Sequence, residues 1–448
     1  MTRDGTSCDC DLCRDAHDFE LSDELIDELL AGKATIFAGA GVSTESRRVM
    51  PNTFCESIAA ELGEENCSRT FPELMEEYCR KPNGRIKLLK AIADRLSYID
   101  SFPELARQAS DFHRELGTFF PVRNIVTTNW DTYFERYCMA TPFVTDPDLA
   151  FWEAADRRVL KIHGSVANLG SVVATTADYA ECQERLSSGL IGGLLKTILA
   201  TQTVIFVGYS FSDSDFSAVY DFVKAQMKSL HRQAYVVTPS AEDCERFAAE
   251  GFIPIRTDGS FFFAQVKAHA VSQGMMLDDE TYDVASELLG AVEDEHDELC
   301  HNVKFRDCPE AIYAASYQDG MLHALERSIQ MRGTGRYSNP FQLQRTIQGY
   351  FEWQKDKRRR HNYEDVAYIE GYVNALTYLL IPEGERDEVQ VPLYFIFGVE
   401  ADIYDLSGFL ELLAEHPSAH KVARKRAQKY VNRLSDPDSV VFHHPPQL

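Results

Sequence analysis

A chain of 448 residues is long enough for two or three domains, each burying its own core. Its 44% hydrophobic and 26% charged residues are ordinary for a globular protein. No apolar run reaches the roughly 18 residues that span a bilayer, and no signal-peptide core follows Met1-Thr2-Arg3-Asp4-Gly5. These features predict a cytoplasmic protein with no membrane partner. With 45 Lys and Arg against 70 Asp and Glu, the net charge of −25 argues against non-specific attachment to nucleic acid or an anionic membrane. Eleven cysteines scattered through such a chain argue against a disulfide framework.

Residues 1–20 read as an N-terminal tail. It holds Cys8, Cys10 and Cys13, with His17 four residues on. A Cys/His group this tight could bind zinc, but one residue rather than two separates Cys8 from Cys10. No metal is assigned, and these four residues stand as the candidates. Leu21, Leu25, Ile26, Leu29 and Leu30 then recur at helical spacing, with Ser22 placed to cap the helix and Gly32 to end it.

A strand over 35–38 runs into the turn Gly39-Ala40-Gly41-Val42-Ser43. Glycines directly after a strand let the backbone approach a pyrophosphate, which the next helix's N-terminus would favour. The competing reading is a tight strand-to-helix turn. Thr44 stands where the dinucleotide fingerprint wants its third glycine, so an ordinary dehydrogenase fits poorly. Residues 52–118 are polar with helical spacing and read as an insertion that could cap the site.

The next β-branched run, Ile125-Val126-Thr127-Thr128, delivers Asn129 and Asp131 to a strand-to-helix turn. An amide there can orient a ribose hydroxyl or a water, and a carboxylate can accept from a group such as a carboxamide; either could instead cap the helix. Further strands are expected at 159–162, 171–174, 204–207, 234–238 and 252–256, with helices over 177–200, 214–229 and 240–250. His163, before Gly164, has the ordinary pKa of a general base near neutrality. After Gly208, which ends the 204–207 strand, Ser210, Asp213 and Asp215 supply a hydroxyl and carboxylates that suit ribose recognition, or helix capping for the aspartates. Alternation of strands and helices predicts a doubly wound, mostly parallel sheet. From 278 to 448 helical spacing dominates. The basic clusters at 355–360 and 421–429 read as solvated faces or docking patches.

Taken together, Gly39-Ala40-Gly41-Val42-Ser43, Thr128-Asn129-Trp130-Asp131, His163-Gly164 and Gly208-Tyr209-Ser210 resemble the sirtuin family over residues 30–270. The resemblance implies a Rossmann-like NAD-binding catalytic domain over 21–277 and cleavage of the nicotinamide–ribose bond. By motif, Ala40, Gly41 and Ser43 would contact the phosphates and nicotinamide ribose, Asn129 the ribose and a water, and Asp131 the carboxamide. His163 would be the base, and Gly208 and Ser210 would line the adenosine side.

Two departures from the deacylases of that family narrow the expectation. Only Cys182 lies between Ser165 and Thr203, where deacylases carry a zinc ribbon, and Arg47-Arg48-Val49-Met50-Pro51-Asn52 replaces their Pro-Asp-Phe-Arg segment. The chain is in this respect similar to sirtuin-like effectors of bacterial anti-phage systems, which hydrolyse NAD+ in abortive infection. That likeness implies a homo-oligomer and an activator such as a DNA-translocase-type ATPase, an Argonaute-like protein, a nucleotide signal or a phage protein. The 278–448 domain would serve assembly or docking. A deacylase or ADP-ribosyltransferase, and a non-catalytic module that senses NAD or ADP-ribose, are the alternatives.

Overall fold

The structure, a computed structural model, describes residues 15–64, 69–211, 213–386, 388–416, 420–433 and 442–446. Two compact units divide the chain, Met1–His269 and Ala270–Leu448.

The first unit is built on a sheet of seven strands: β1 (Ala34–Ala38), β2 (Asn124–Thr127), β3 (Thr141–Phe143), β4 (Arg158–Lys161), β5 (Thr203–Val207), β6 (Tyr235–Thr238) and β7 (Ile253–Arg256). They lie in the order β3-β4-β2-β1-β5-β6-β7, every neighbouring pair parallel. All residues of β1 and β5 are buried. Helices cover both faces of a parallel sheet, so its central strands need unbroken apolar runs such as Thr203-Val204-Ile205-Phe206-Val207. From β1 the chain crosses to β2 on one side and later to β5 on the other. The crevice beyond the strand ends at such a reversal is where α/β sheets bind ligands.

Among the described residues, eleven helices accompany the strands: α1 (Asp23–Leu30), α2 (Phe54–Leu62), α3 (Phe71–Cys79), α4 (Gly84–Ser101), α5 (Pro103–Thr118), α6 (Tyr133–Cys138), α7 (Thr176–Ser188), α8 (Leu190–Thr201), α9 (Ser214–Met227), α10 (Ala241–Ala249) and α11 (Gly259–Ser272). The Ser22 hydroxyl caps α1 through the Leu25 amide, and Gly32 past its end has φ +67°. The insertion is α2 to α5. Its entry is fixed by a capping box in which Thr53 and Glu56 satisfy each other's backbone amides.

Some elements differ from expectation. The 177–200 helix is two helices, broken at Gly189. Residues 171–174 are not a strand. Asp178 takes the amides of Ala174 and Thr175 to cap α7, while Val172 and Ala174 pack against Leu74 and Leu88 of the insertion. β3, unread in the sequence, sits at the sheet edge, where Pro142 costs no ladder bond.

The second unit is helical: α12 (Glu280–Asn302), α13 (Ala311–Gln330), α14 (Pro340–Arg359), α15 (Tyr363–Leu379), α16 (Glu383–Arg386), α17 (Leu406–Glu415) and α18 (Lys421–Val431). Its core is rich in tyrosine, including Tyr313, Tyr317, Tyr368 and Tyr372. α13 and α15 approach main chain to main chain. A Cβ on Gly320 would lie 1.9 Å from the Tyr368 carbonyl oxygen, and one on Gly371 would lie 1.8 Å from that of Tyr317. Among the described residues no helix is long and apolar enough to cross a membrane.

Candidate active site

The ends of β1, β2, β4 and β5 bring the polar motifs to one edge of the sheet. Thr127, the last residue of β2, donates its hydroxyl to the Ala38 carbonyl at 2.8 Å and accepts the Asn129 amide at 3.0 Å. That bridge ties the β2 turn to the end of β1. The Asn129 side-chain nitrogen donates to the Gly39 carbonyl at 3.1 Å. Because a carbonyl only accepts, the amide's orientation is fixed, and Asn129 Oδ1 is left buried without a partner among the described residues.

Asp131 is held from two sides. Its Oδ2 accepts the Ser43 hydroxyl at 3.0 Å, and its Oδ1 accepts the Tyr133 amide at 3.1 Å in the first turn of α6. Helix capping is therefore part of what Asp131 does, and Ser43 serves it rather than facing the open cleft. Behind it, Lys161 is buried, donating to the Asp131 carbonyl and pairing with Glu135 at 3.1 Å. Burial pushes neighbouring His113 down to about 4, so its imidazole is neutral.

His163 follows β4, with Gly164 at φ +84° turning the chain away. Its Nε2 lies 2.9 Å from Asp215 Oδ2, and both side chains are buried. Asp215 Oδ1 accepts the Phe216 amide at 2.9 Å. Ribose recognition by Asp215, one of the sequence expectations, does not hold, because the carboxylate is turned onto His163. Burial disfavours the charged imidazole, but the Asp215 hydrogen bond and the charges of Asp213 and Asp215 outweigh it and raise the His163 pKa above its ordinary value. Burial likewise opposes the Asp215 charge, and its bond to His163 prevails, lowering that pKa. Asp213 meanwhile accepts the Tyr179 hydroxyl at 2.8 Å, and the Tyr179 ring packs against His163.

The glycine turn works by close packing. Gly39 and Gly41 donate their amides to the carbonyls of Val207 and Gly208, each at 3.0 Å. A Cβ on Gly39 would sit 2.4 Å from the Gly208 oxygen, and Gly208 itself has φ +59°. No full helix follows the turn. A three-residue 3-10 turn, Ala40–Val42, gives way to loop until α2, so the expected helix N-terminus facing a phosphate is absent. Pro51 and the hydroxyl-rich run Ser43-Thr44-Glu45-Ser46 account for this locally.

These residues line a cavity of about 450 Å³. Ala40, Gly41, Thr128, Asn129, Asp131, His163, Gly208, Ser210 and Asp213 all face it, whereas Gly39 and Ser43 stand behind its wall. A second cavity, of about 410 Å³, shares Gly41, Gly208, Tyr209 and Ser210 and extends past Arg48, Thr238 and Arg246. Both volumes are in the range of small-molecule sites.

The insertion contributes residues that no motif announces. Arg95 of α4 pairs with Glu45 at 3.2 Å and donates to the carbonyls of Thr44 and Asn52. Burial raises the Glu45 pKa although the Phe54 amide and Arg95 oppose it. Phe54 and Phe71 pack against Trp130 and close one wall. A cationic side chain bonded to two loop carbonyls leaves no periodic trace in sequence. Of the possible zinc ligands, Cys8, Cys10 and Cys13 lie outside the described residues, and the His17 amide donates to Thr257.

Residues 123–255, from the start of β2 into β7, match the family profile of the SIR2-like domain. The chain carries a SIR2-like domain. Two of the curated proteins to which it is similar are named NAD(+) hydrolase ThsA. The one from Enterococcus faecium is 28% identical over 219 residues, 46% of this chain and 43% of that protein. The one from Cytobacillus dafuensis is 26% identical over 243 residues, 50% of this chain and 47% of that protein. It is also similar to Defense-associated sirtuin 2 of Bacillus subtilis, 23% identical over 338 residues, 72% of this chain and 31% of that protein. The chain thus spans less than half the length of these relatives. Within the SIR2-like domain the match takes in Asn129, Asp131, His163, Gly208 and Ser210. The β4–β5 connection is largely α7 and α8.

Proposed function

We propose that the SIR2-like domain hydrolyses NAD+ at the nicotinamide–ribose bond, giving nicotinamide and ADP-ribose, and that it does so as a cytoplasmic effector of abortive infection against phage. One observation carries this reading: Asn129, Asp131 and His163 converge on a single cavity where the strand order reverses, with a second cavity across the Gly41–Gly208 wall. The names of the relatives, NAD(+) hydrolases and a defense-associated sirtuin, support it.

In this reading the nicotinamide half occupies the first cavity, and the pyrophosphate crosses at Gly41, Gly208 and Ser210 to bring adenosine into the second. Asp131, fixed by Ser43 and Tyr133, accepts from the carboxamide. As the C1′–N bond breaks, its electron pair leaves with nicotinamide and an oxocarbenium-like ribose remains. The buried polar groups of the cavity stabilise that charge. Asn129 Oδ1, with no partner among the described residues, accepts from a water aligned on C1′. With Nε2 committed to Asp215, the other nitrogen of His163 takes the water's proton as the new C1′–O bond forms. The second unit would provide assembly or docking of an activating partner.

The reading is tested in cells and in vitro. NAD+ should fall after phage infection in cells carrying the wild-type chain and hold with Asn129→Ala. Purified active protein should release nicotinamide from NAD+ without an acyl-peptide. Strict dependence on such a peptide would instead identify a deacylase, and tight binding without turnover in the presence of its activator would identify a sensing module.

A further inference from the structure

Away from the cleft, metal-binding side chains gather at one place in the second unit. His296 and Cys300 lie one turn apart on α12, with the Cys300 sulfur 3.7 Å from His296 Nε2. Asp319 of α13 faces them, its Oδ1 4.0 Å from His296 Nε2. His443 completes the group. Its Nδ1 is 3.1 Å from Asp319 Oδ1, and its ring stacks on that of His296 with centroids 5.0 Å apart. In a zinc tetrahedron, bonds of about 2.0–2.3 Å put neighbouring ligand atoms roughly 3.3–3.7 Å apart. The three separations given bracket that value. The ligand atoms of His296, Asp319 and His443 all lie within 4.8 Å of one another, and Cys300, outside that group, approaches it through His296, so its sulfur has to close in when the metal binds.

Two further features point to a cation. His296 Nδ1 faces the side-chain oxygen of Gln318 at 3.2 Å. In the tautomer that donates from Nδ1 to this oxygen, the Nε2 lone pair is directed at Cys300 and Asp319. A ligating histidine almost always donates its second N–H in this way. Asp319 is 2% exposed, and its partners among the described residues are histidines and the His444 amide, with no lysine or arginine. A carboxylate buried without a fixed cation is costly. One divalent ion would balance the charges of Asp319 and a Cys300 thiolate.

We propose that His296, Cys300, Asp319 and His443 bind a divalent ion of the zinc class in a four-coordinate structural site that fastens segment 442–446 to α12 and α13. Four protein ligands leave no open position, so the site holds structure and performs no catalysis. Loading displaces the Cys300 thiol proton and the hydrogen between His443 and Asp319, so metal uptake releases protons to solvent. The competing arrangement has a protonated His443 bonded to Asp319, with the segment held by His444, which is bonded to Asp365 at 3.0 Å and stacked on Tyr368.

The test uses the full chain carrying Cys8→Ser, Cys10→Ser and Cys13→Ser, which removes the N-terminal candidate cluster, and Cys182→Ala, which removes the thiol of the group formed with His163 and Asp215 in the cleft. After chelation the protein is titrated with Co2+ alone. The expected result is uptake of a single equivalent with tetrahedral visible bands and a near-ultraviolet thiolate-to-cobalt band, both displaced by Zn2+. Cys300→Ser should lose the thiolate band. His443→Ala should weaken cobalt binding at least about tenfold. The His443 side chain is 61% exposed, so that variant keeps its fold and the test survives if the others do not. No cobalt uptake, uptake without the thiolate band, or unchanged affinity in His443→Ala would overturn the proposal.

Discussion

His163 Nε2 sits 2.9 Å from Asp215 Oδ2, with both side chains buried. Holding one ring nitrogen against a carboxylate orients the imidazole and leaves the other for chemistry. Replacing His163 with alanine should cost nicotinamide release on the order of 10²–10⁴-fold. Asp215→Asn should lower turnover more than it changes KM for NAD+, because the imidazole stays but loses its anchor. Steady-state kinetics of the two variants check this.

The same pair sets a pH dependence. The raised His163 pKa means that a bare ring nitrogen exists only above it, so kcat/KM should fall as pH drops through a value above the ordinary 6.5. In Asp215→Asn that inflection should move down. Stability follows the opposite limb for His163. Its contribution is complete below its unfolded value of 6.5 and fades as pH rises through the raised folded value. That of Asp215 is present above its unfolded value of 3.8 and fades as pH falls through the lowered folded value. The gap in melting temperature between wild type and Asp215→Asn should be widest between these two unfolded values.

Asn129 is sensitive to which atom faces Gly39. Asn129→Asp puts a carboxylate oxygen against the Gly39 carbonyl and a second negative charge near Asp131, whereas Asn129→Ala removes a buried hydrogen bond worth about 1 kcal/mol. Both should abolish nicotinamide release, and thermal unfolding should show the aspartate variant to be the less stable of the two.

Arg95 ties the insertion to the loop behind the cavity. Arg95→Ala leaves Glu45 and the Thr44 and Asn52 carbonyls without its bonds, and about 1–3 kcal/mol of stability should go with it. KM for NAD+ should rise as the loop loosens. Adding Glu45→Gln should restore part of the stability, since the stranded carboxylate is then neutral.

In the second unit, two glycines predict opposite signs. Gly371→Ala forces α13 and α15 apart and should cost about 1–3 kcal/mol or more. Gly349, within α14, has open space where a Cβ would go, and Gly349→Ala should gain about 0.5–1 kcal/mol. Chemical denaturation of both variants separates the effects.

The strands most legible in sequence were those whose both faces are covered, such as β1 and β5, because continuous burial writes a continuous apolar run. β3 escaped because three residues containing a proline carry no strand signature away from a partner. Residues 171–174 misled because Val172 and Ala174 are indeed buried, but against the insertion, while the Ala174 amide goes to the α7 cap and those of Ser171, Val172 and Val173 go to the carbonyls of Asn168, Leu169 and His163. At the site, Asn129, Asp131 and His163 were legible because strand ends concentrate polar residues in short motifs. Their partners were not. Ser43 with Asp131 spans 88 residues, and His163 with Asp215 spans 52. Arg95 arrives from an insertion with a purely helical pattern. Pairing at such distances is a property of topology, which residue spacing alone does not encode.

Gly41, Gly208, Tyr209 and Ser210 face both cavities, so the two share one strip of chain. A ligand in one cavity touches residues that also line the other. By thermodynamic reciprocity, a fragment in the first cavity must change affinity in the second by the factor with which the second changes the first. Inhibitor halves for the two cavities are therefore best selected together, each screened with the other in place.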